Sequence, residues 1–293
     1  MKQRLLLGLL ILVQVTIFGQ FKGIVKDSLS GKPIPFVSVW SENQNIGTTS
    51  EENGEFTINL NEKSRGLVFS AIGFSKKKVK ISEAKEVKMN PVEYQLDEVV
   101  ISGSKKTRQI EIGKTDNAIC QAFDNGPRID VKYFPYSSAY KKTKYIQQLT
   151  LYTDSRIENA TVRIHFYEVD ENGFPGKELL QKDRIVTVRK GTVNNLINVS
   201  DLNLTFPKKG LFVGFEKLII EKNKLERTIT NANTNEVTTK ITYYPFVLYN
   251  YVERDVMYTY SGGNWNKQML NQNPARSDKE KINEPAINLI LSN

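Results

Sequence analysis

The chain has 293 residues, 39% of them hydrophobic and 25% charged, with a formal net charge of +9 at pH 7. That composition excludes disorder as the main state, and the length allows two domains, each able to bury its own core. A single cysteine, Cys120, and a single histidine, His165, exclude an intrachain disulfide and any site built on several thiols or imidazoles.

Lys2 and Arg4 precede an apolar run from Leu5 to Phe18 that ends at the small residue Gly19. A basic start, an apolar stretch and a small residue are the parts of a secretory signal peptide. The run is interrupted by Gln14 and Thr16 and falls short of the roughly 20 residues that a membrane span needs. Segment 1–19 is therefore expected to be removed, leaving Gln20 as the new start and no transmembrane span, with an uncleaved anchor as the weaker alternative. No cysteine follows the run, so a lipid anchor is not expected. Loss of Lys2 and Arg4 leaves 39 basic against 32 acidic residues, a charge of +7. Outside the cytoplasm such a charge suits lipopolysaccharide, anionic polysaccharide or a membrane surface rather than nucleic acid. Its two clusters, Lys76-Lys77-Lys78 and Lys141-Lys142-Thr143-Lys144, read as solvated faces.

From Gln20 onward the pattern is β. Segments 21–26, 34–40, 55–60, 66–71 and 77–81 alternate or are β-branched, and Gly, Pro, Asn or Ser clusters bound each of them. Asp27 to Gly31 and Glu51 to Gly54 read as hairpin turns, with glycine supplying a positive φ. Strands at this spacing predict a small sandwich over 20–90. Residues 91–115 hold one more β segment, Leu96 to Ser102, and a polar, basic linker. Strands are expected next at 145–152, 161–169, 184–188, 195–199, 210–220, 243–252, 256–260 and 286–291. The Asn/Thr-rich stretch Glu221 to Glu236 reads as an exposed hairpin tip. Eight to ten strands over 116–293 predict a larger, jelly-roll-like β-sandwich. The fold class is thus all-β, with two sandwiches in series.

Particular residues of the first unit carry a resemblance. "FKGIVKDSLSGKPIPFVSVW", "IGTTSEENGEFTINL" and "LVFSAIGFSKKKVKI" resemble the carboxypeptidase-regulatory-like (transthyretin-like) domain found in envelope proteins of the Bacteroidetes. Gly23, Val25, Gly31, Pro33, Ile34, Pro35, Val37, Val39, Gly47, Thr48, Gly54, Phe56, Gly73 and Phe74 fall on its pattern, while Ser50-Glu51 stands where Thr-Asp is usual. "LDEVVIS" at 96–102 looks like the segment that follows this module in many of its members. The resemblance implies a prealbumin-like sandwich and a Gram-negative envelope location, periplasmic or outer-membrane-associated. It brings no catalytic residue. Alternation places Val37 and Val39 on one face and Phe36, Ser38 and Trp40 on the other, where Trp40 reads as a single exposed aromatic.

Chemistry is sparse. A metallocarboxypeptidase site needs two histidines and a glutamate on zinc, and a serine triad would have to use His165, which lies in the strand "VRIHFYEV". Asp170 to Gly173 reads as a tight turn rather than a calcium loop. Asp170, Glu171, Glu253 and Asp255 could formally furnish a carboxylate pair. No cofactor and no metal are expected. The feature beyond ordinary core is the aromatic run "TYYPFVLYNYVERDVMYTYSGGNWNKQ". Within it Trp265 is placed in a turn, where an indole could stack on a sugar or a protein partner, with Tyr249, Tyr258 and Tyr260 as neighbouring candidates. The expected function is a non-catalytic, exported binding or interaction protein of a Gram-negative envelope, recognising an envelope protein or polysaccharide through its second sandwich. The alternatives are a carbohydrate-binding protein using Trp265 and the tyrosines, and a glycan hydrolase with an unrecognised acid pair.

Overall fold

A computed structural model describes residues 20–92, 108–114, 119–120, 126–253, 256–269 and 281–293. The expected signal peptide and the Leu96–Ser102 segment lie outside the described residues. Among the described residues every long element is a strand, and no helix there is long and apolar enough to cross a membrane.

The first unit runs through β1 (Gln20–Asp27), β2 (Ser38–Ser41), β3 (Gly47–Thr49), β4 (Glu55–Asn59), β5 (Gly66–Ser70), β6 (Lys77–Lys80) and β7 (Glu86–Met89). These form two small sheets, β4-β1-β7 and β3-β2-β5-β6. Between them lie Val25, Val37, Val39, Phe56, Ile58 and Phe69, all buried as the period-2 pattern predicts. The strand expected over 34–40 begins only at Ser38. Pro33 makes an isolated bridge to Lys26, and Phe36 has a positive φ of 56°, so the chain turns before it can enter the sheet. The turn at Glu51 to Gly54 is likewise no simple hairpin. It carries the chain from β3 in one sheet to β4 in the other, with Gly54 at φ 77°. Strands β3 and β7 escaped the sequence pattern, being three and four residues long.

The second unit begins earlier than expected. Residues Gln109–Ile112, within the presumed linker, form β8 and pair with the last strand of the chain. There follow β9 (Ile119–Cys120), β10 (Ile129–Phe134), β11 (Tyr145–Ser155), β12 (Ala160–Val169), β13 (Pro175–Glu178), β14 (Arg184–Val188), β15 (Gly191–Asn198) and β16 (Leu211–Lys217). The chain continues through β17 (Lys224–Thr230), β18 (Val237–Tyr243), β19 (Phe246–Val247), β20 (Tyr249–Glu253), β21 (Val256–Ser261), β22 (Asn264–Met269), β23 (Lys281–Pro285) and β24 (Ile287–Ser292). A large sheet, β13-β12-β16-β10-β21-β22 with β14 beside β12, faces a second sheet, β15-β11-β24-β8 with β19 beside β11. Phe134, Leu149, Ile164, Phe166, Val213 and Leu289 fill the space between. Strands β17 and β18 pair only with each other, and β20 joins β23 and β9.

The large sheet is covered on both faces. Its inner side chains meet the second sheet, while Ile129, Val131, Tyr167, Phe212, Tyr258 and Tyr260 on the outer face cluster with Trp40 and Val68 of the first unit. That double cover explains why every residue of β16 is buried. It also corrects the reading of Trp40, which is 1% exposed.

Candidate functional site

The alternation of β12 decides what faces the junction of the two units. Val162, Ile164 and Phe166 point into the sandwich core, so Arg163, His165 and Tyr167 point toward the first unit. Arg163 and its strand neighbour Glu216 of β16 sit directly opposite in the register. Their side chains meet at 2.7 Å, Nη1 to Oε2. The same guanidinium donates to Ser38 Oγ at 3.1 Å and to Asp183 Oδ2 at 3.1 Å. It also donates to the Phe36 carbonyl, while the Ser38 hydroxyl donates to Glu216. Ser38 and Phe36 belong to the first unit, so the ion network spans the junction.

His165 extends the network sideways. Its Nδ1 lies 2.7 Å from Glu178 Oε2 and its Nε2 lies 3.2 Å from Glu216 Oε2. Glu178 is held by the backbone N–H of Phe166, which donates to it at 2.9 Å. Burial works against a charged imidazole here, but the hydrogen bonds and charges of Glu178 and Glu216 outweigh it and push His165 up to about 9. Burial likewise opposes ionisation of Glu216, yet Arg163, with His165 and Ser38, pulls its carboxyl down to about 2. The neighbouring carboxylates keep the Arg163 guanidinium charged despite complete burial. Both nitrogens of the chain's one histidine are thus taken by carboxylates, and the residue is 4% exposed.

Three of the four aromatic candidates come together beside this network. Tyr258 and Tyr260 of β21 are buried, and Trp265 is half-buried. Trp265 lies in strand β22, directly opposite Tyr260, instead of in a turn. Its ring meets Tyr167 edge-on at 5.2 Å and Tyr260 at 5.3 Å, and Trp40 meets Tyr260 at 6.1 Å. Tyr258 packs against Phe174 and Phe212. The turn itself is Gly262-Gly263, at φ 59° and 88°. A Cβ on Gly262 would come within 2.9 Å of the Gln44 backbone, so glycine permits both the turn and the approach of the first unit. Lys76 completes the contact by donating to the Gly263 carbonyl, its ammonium 5.1 Å from the Tyr260 ring centre. One member of the supposed solvated lysine cluster is therefore a junction residue.

Tyr249 is placed elsewhere. It is buried in the sandwich core, and its hydroxyl donates to Asp130. Arg128 Nε and Thr259 Oγ1 also donate to that carboxylate, at 2.7 and 2.8 Å. Burial, then the charge of Asp130, pushes the Tyr249 hydroxyl well up. Arg128, Lys217, Phe246 and Tyr249 line a small open cleft. Asp130 is inward-facing in β10, a strand that sequence reasoning missed because "IDVKYF" alternates charge into the core. Its second charge, Lys132, pairs with buried Glu284 at 3.0 Å.

The remaining candidates are local. Asp170 Oδ1 accepts the N–H of Asn172 and of Phe174, each at 2.8 Å, which is tight-turn chemistry as expected. No group of His, Cys, Asp and Glu suited to a metal ion occurs among the described residues. Asp255 and the side chain of Cys120 lie outside the described residues. The polar stretch 221–236 does enter a hairpin, longer than its tip. From Glu226 to Ile241 every residue is exposed, and Ile229, Val237 and Ile241 are 47%, 63% and 48% exposed.

Among curated proteins no sequence matches the chain. One similar solved structure is "Structure of infectious bursal disease virus Gx strain", with a TM-score of 0.23 and 11% identity, over 94% of this chain and 74% of that one. A likeness that low supports no argument about fold or function. Residues 21–101 match the model of the CarboxypepD_reg-like domain family, and the N-terminal unit is a domain of that kind.

Proposed function

We propose that the protein is a non-catalytic, exported binding protein of a Gram-negative envelope, whose second sandwich recognises another envelope protein through the hairpin β17–β18. The observation that carries this reading is the set of exposed apolar side chains on a hairpin that pairs with no other described strand. Ile229 lies on one face of the hairpin, with Val237 and Ile241 on the other. A two-stranded hairpin exposed on both faces is marginal in water and offers two unpaired edges for strand addition. The first unit then serves as a fixed spacer, held by the junction network. Saturation of His165 by two carboxylates supports the absence of catalysis. Export rests on the basic and apolar start of the sequence.

The glycan-stacking alternative has less support. Tyr258, Tyr260 and Trp265 already pack on protein rings, Tyr260 on Trp40 of the first unit, which leaves little ring surface for a sugar. Cross-linking in envelope extract tests the leading reading. A partner captured by the native protein and lost by a folded Ile229→Thr, Val237→Thr, Ile241→Thr variant is expected. Equal capture by both proteins would remove the hairpin from the interface. A glycan array with Trp265→Ala and a turnover assay on any bound glycan address the two alternatives.

A further inference from the structure

At the end of the sandwich where β11 begins, two loops far apart in sequence are brought together. The loop 135–144 and the loop 203–210 are joined by the Phe206 N–H, which donates to the Lys144 carbonyl at 2.8 Å, and by a bridge between Tyr145 and Thr205. Tyr140 stacks edge-on against Phe206 at 5.2 Å, and the Tyr133 hydroxyl reaches the Lys209 carbonyl at 3.3 Å. The result is a surface carrying Lys141, Lys142, Lys144, Lys208 and Lys209, all exposed. Stretches 133–146 and 203–211 contain no aspartate, glutamate or arginine. None of the five lysines is in an ion pair with a described residue. Glu168 sits opposite Leu211 in the register, with Asp170 and Glu171 in the turn after it, and Asp201, just before the second loop, is ion-paired with Arg184. Asp170 uses one oxygen to cap its own turn.

We infer that this end of the sandwich docks on an anionic lipid bilayer. Lysine is a flexible, hydrated point charge suited to a diffuse charged surface, whereas carboxylate or sulfate groups at fixed positions favour the arginine fork, which is absent here. The charges sit on exposed loops, and beside them the strand end of β10 presents Tyr133, 40% exposed, with Tyr136, Tyr140 and Tyr145 partly exposed. Tyrosine rings of this kind settle at headgroup level, with apolar body and polar tip. The orientation that follows agrees with the proposed role of the hairpin without resting on it. Strand β11 (11 residues) pairs with Ser292 at Tyr145, the basic end, and with Phe246 at Asp154, near its other end and just beyond the hairpin. Docking by the lysines would therefore point β17–β18 away from the bilayer.

The test uses the chain from Gln20 onward, which keeps every described element and removes the apolar start that would itself enter lipid. Binding is measured to vesicles of phosphatidylcholine alone and of phosphatidylcholine with phosphatidylglycerol, at low and high salt, and to immobilised dextran sulfate. Binding to the anionic vesicles only, abolished by salt, is expected. Lys208→Gln with Lys209→Gln should weaken it about 25-fold, at about fivefold per lysine. Lys141→Gln with Lys142→Gln should do the same, so the outcome does not hang on the folding of one variant. Vesicle binding unchanged in both folded variants would overturn the inference. So would lysine-dependent binding to dextran sulfate with none to vesicles, which would reassign the patch to an acidic polysaccharide.

Discussion

At the junction of the two units charged side chains are buried, and on the hairpin β17–β18 apolar side chains are exposed. Arg163 and Glu216 are 1% and 3% exposed, while Val237 is 63% exposed. Each region reverses the ordinary preference of its residues. Within the junction the reversal is compensated inside the molecule, because Arg163 and His165 meet Glu178, Asp183 and Glu216 and Ser38 closes the network across the two units. On the hairpin nothing within the described chain compensates it. The difference separates a region that holds the protein together from the one proposed to meet a partner.

The comparison breaks most sharply when a junction charge is removed. Arg163→Ala should destabilise the fold by about 3–5 kcal/mol in a denaturant titration, because Glu216 and Asp183 stay buried without their cation. A change below about 1 kcal/mol would mean that water reaches the network. Trp40→Ala should cost about 3 kcal/mol, the loss of a large buried ring between the two units. Were Trp40 exposed, as its strand pattern implies, the effect would be close to zero.

Titration sharpens the same contrast. His165 titrates near 9 in the folded chain against 6.5 for a free imidazole, so its stabilisation is complete below 6.5 and is lost as pH rises through 9. Glu216, lowered from 4.5 to about 2, contributes fully above 4.5 and loses its contribution as pH falls through 2. Stability should therefore peak between 4.5 and 6.5 and decline on both sides. His165→Gln should flatten the alkaline limb, and an unchanged limb would assign that decline to another group. The smallest effect belongs to the hairpin. Ile229→Thr, Val237→Thr and Ile241→Thr together should shift stability by less than about 0.5 kcal/mol, since these side chains contribute little burial. A larger loss would show that the hairpin packs on its own protein.

Much of the core was legible in order. Val37, Val39, Phe56 and Ile58 follow period 2 and are buried because one face of each small sheet must leave water. Strand β12 was legible as a strand, but what its polar face meets was not, since Arg163 and His165 alternate with aliphatics as on any half-exposed strand. Strand β10 was not legible, because Asp130 and Lys132 occupy its core-facing positions and only distant partners, Tyr249, Thr259 and Glu284, make that tolerable. Tyr258, Tyr260 and Trp265 were recognised as a group. Which of their faces is covered depends on Trp40 and Lys76, residues far away in the first unit.

By itself the sequence determined the all-β class and the first small sandwich, because strand period acts over a few residues. Only the tertiary structure decided that the two units share a buried face, that His165 lies between two carboxylates, and that Lys141 and Lys208 belong to one surface. Those relations depend on which strands become neighbours. That choice is made by the packing of whole sheets, which no local pattern records.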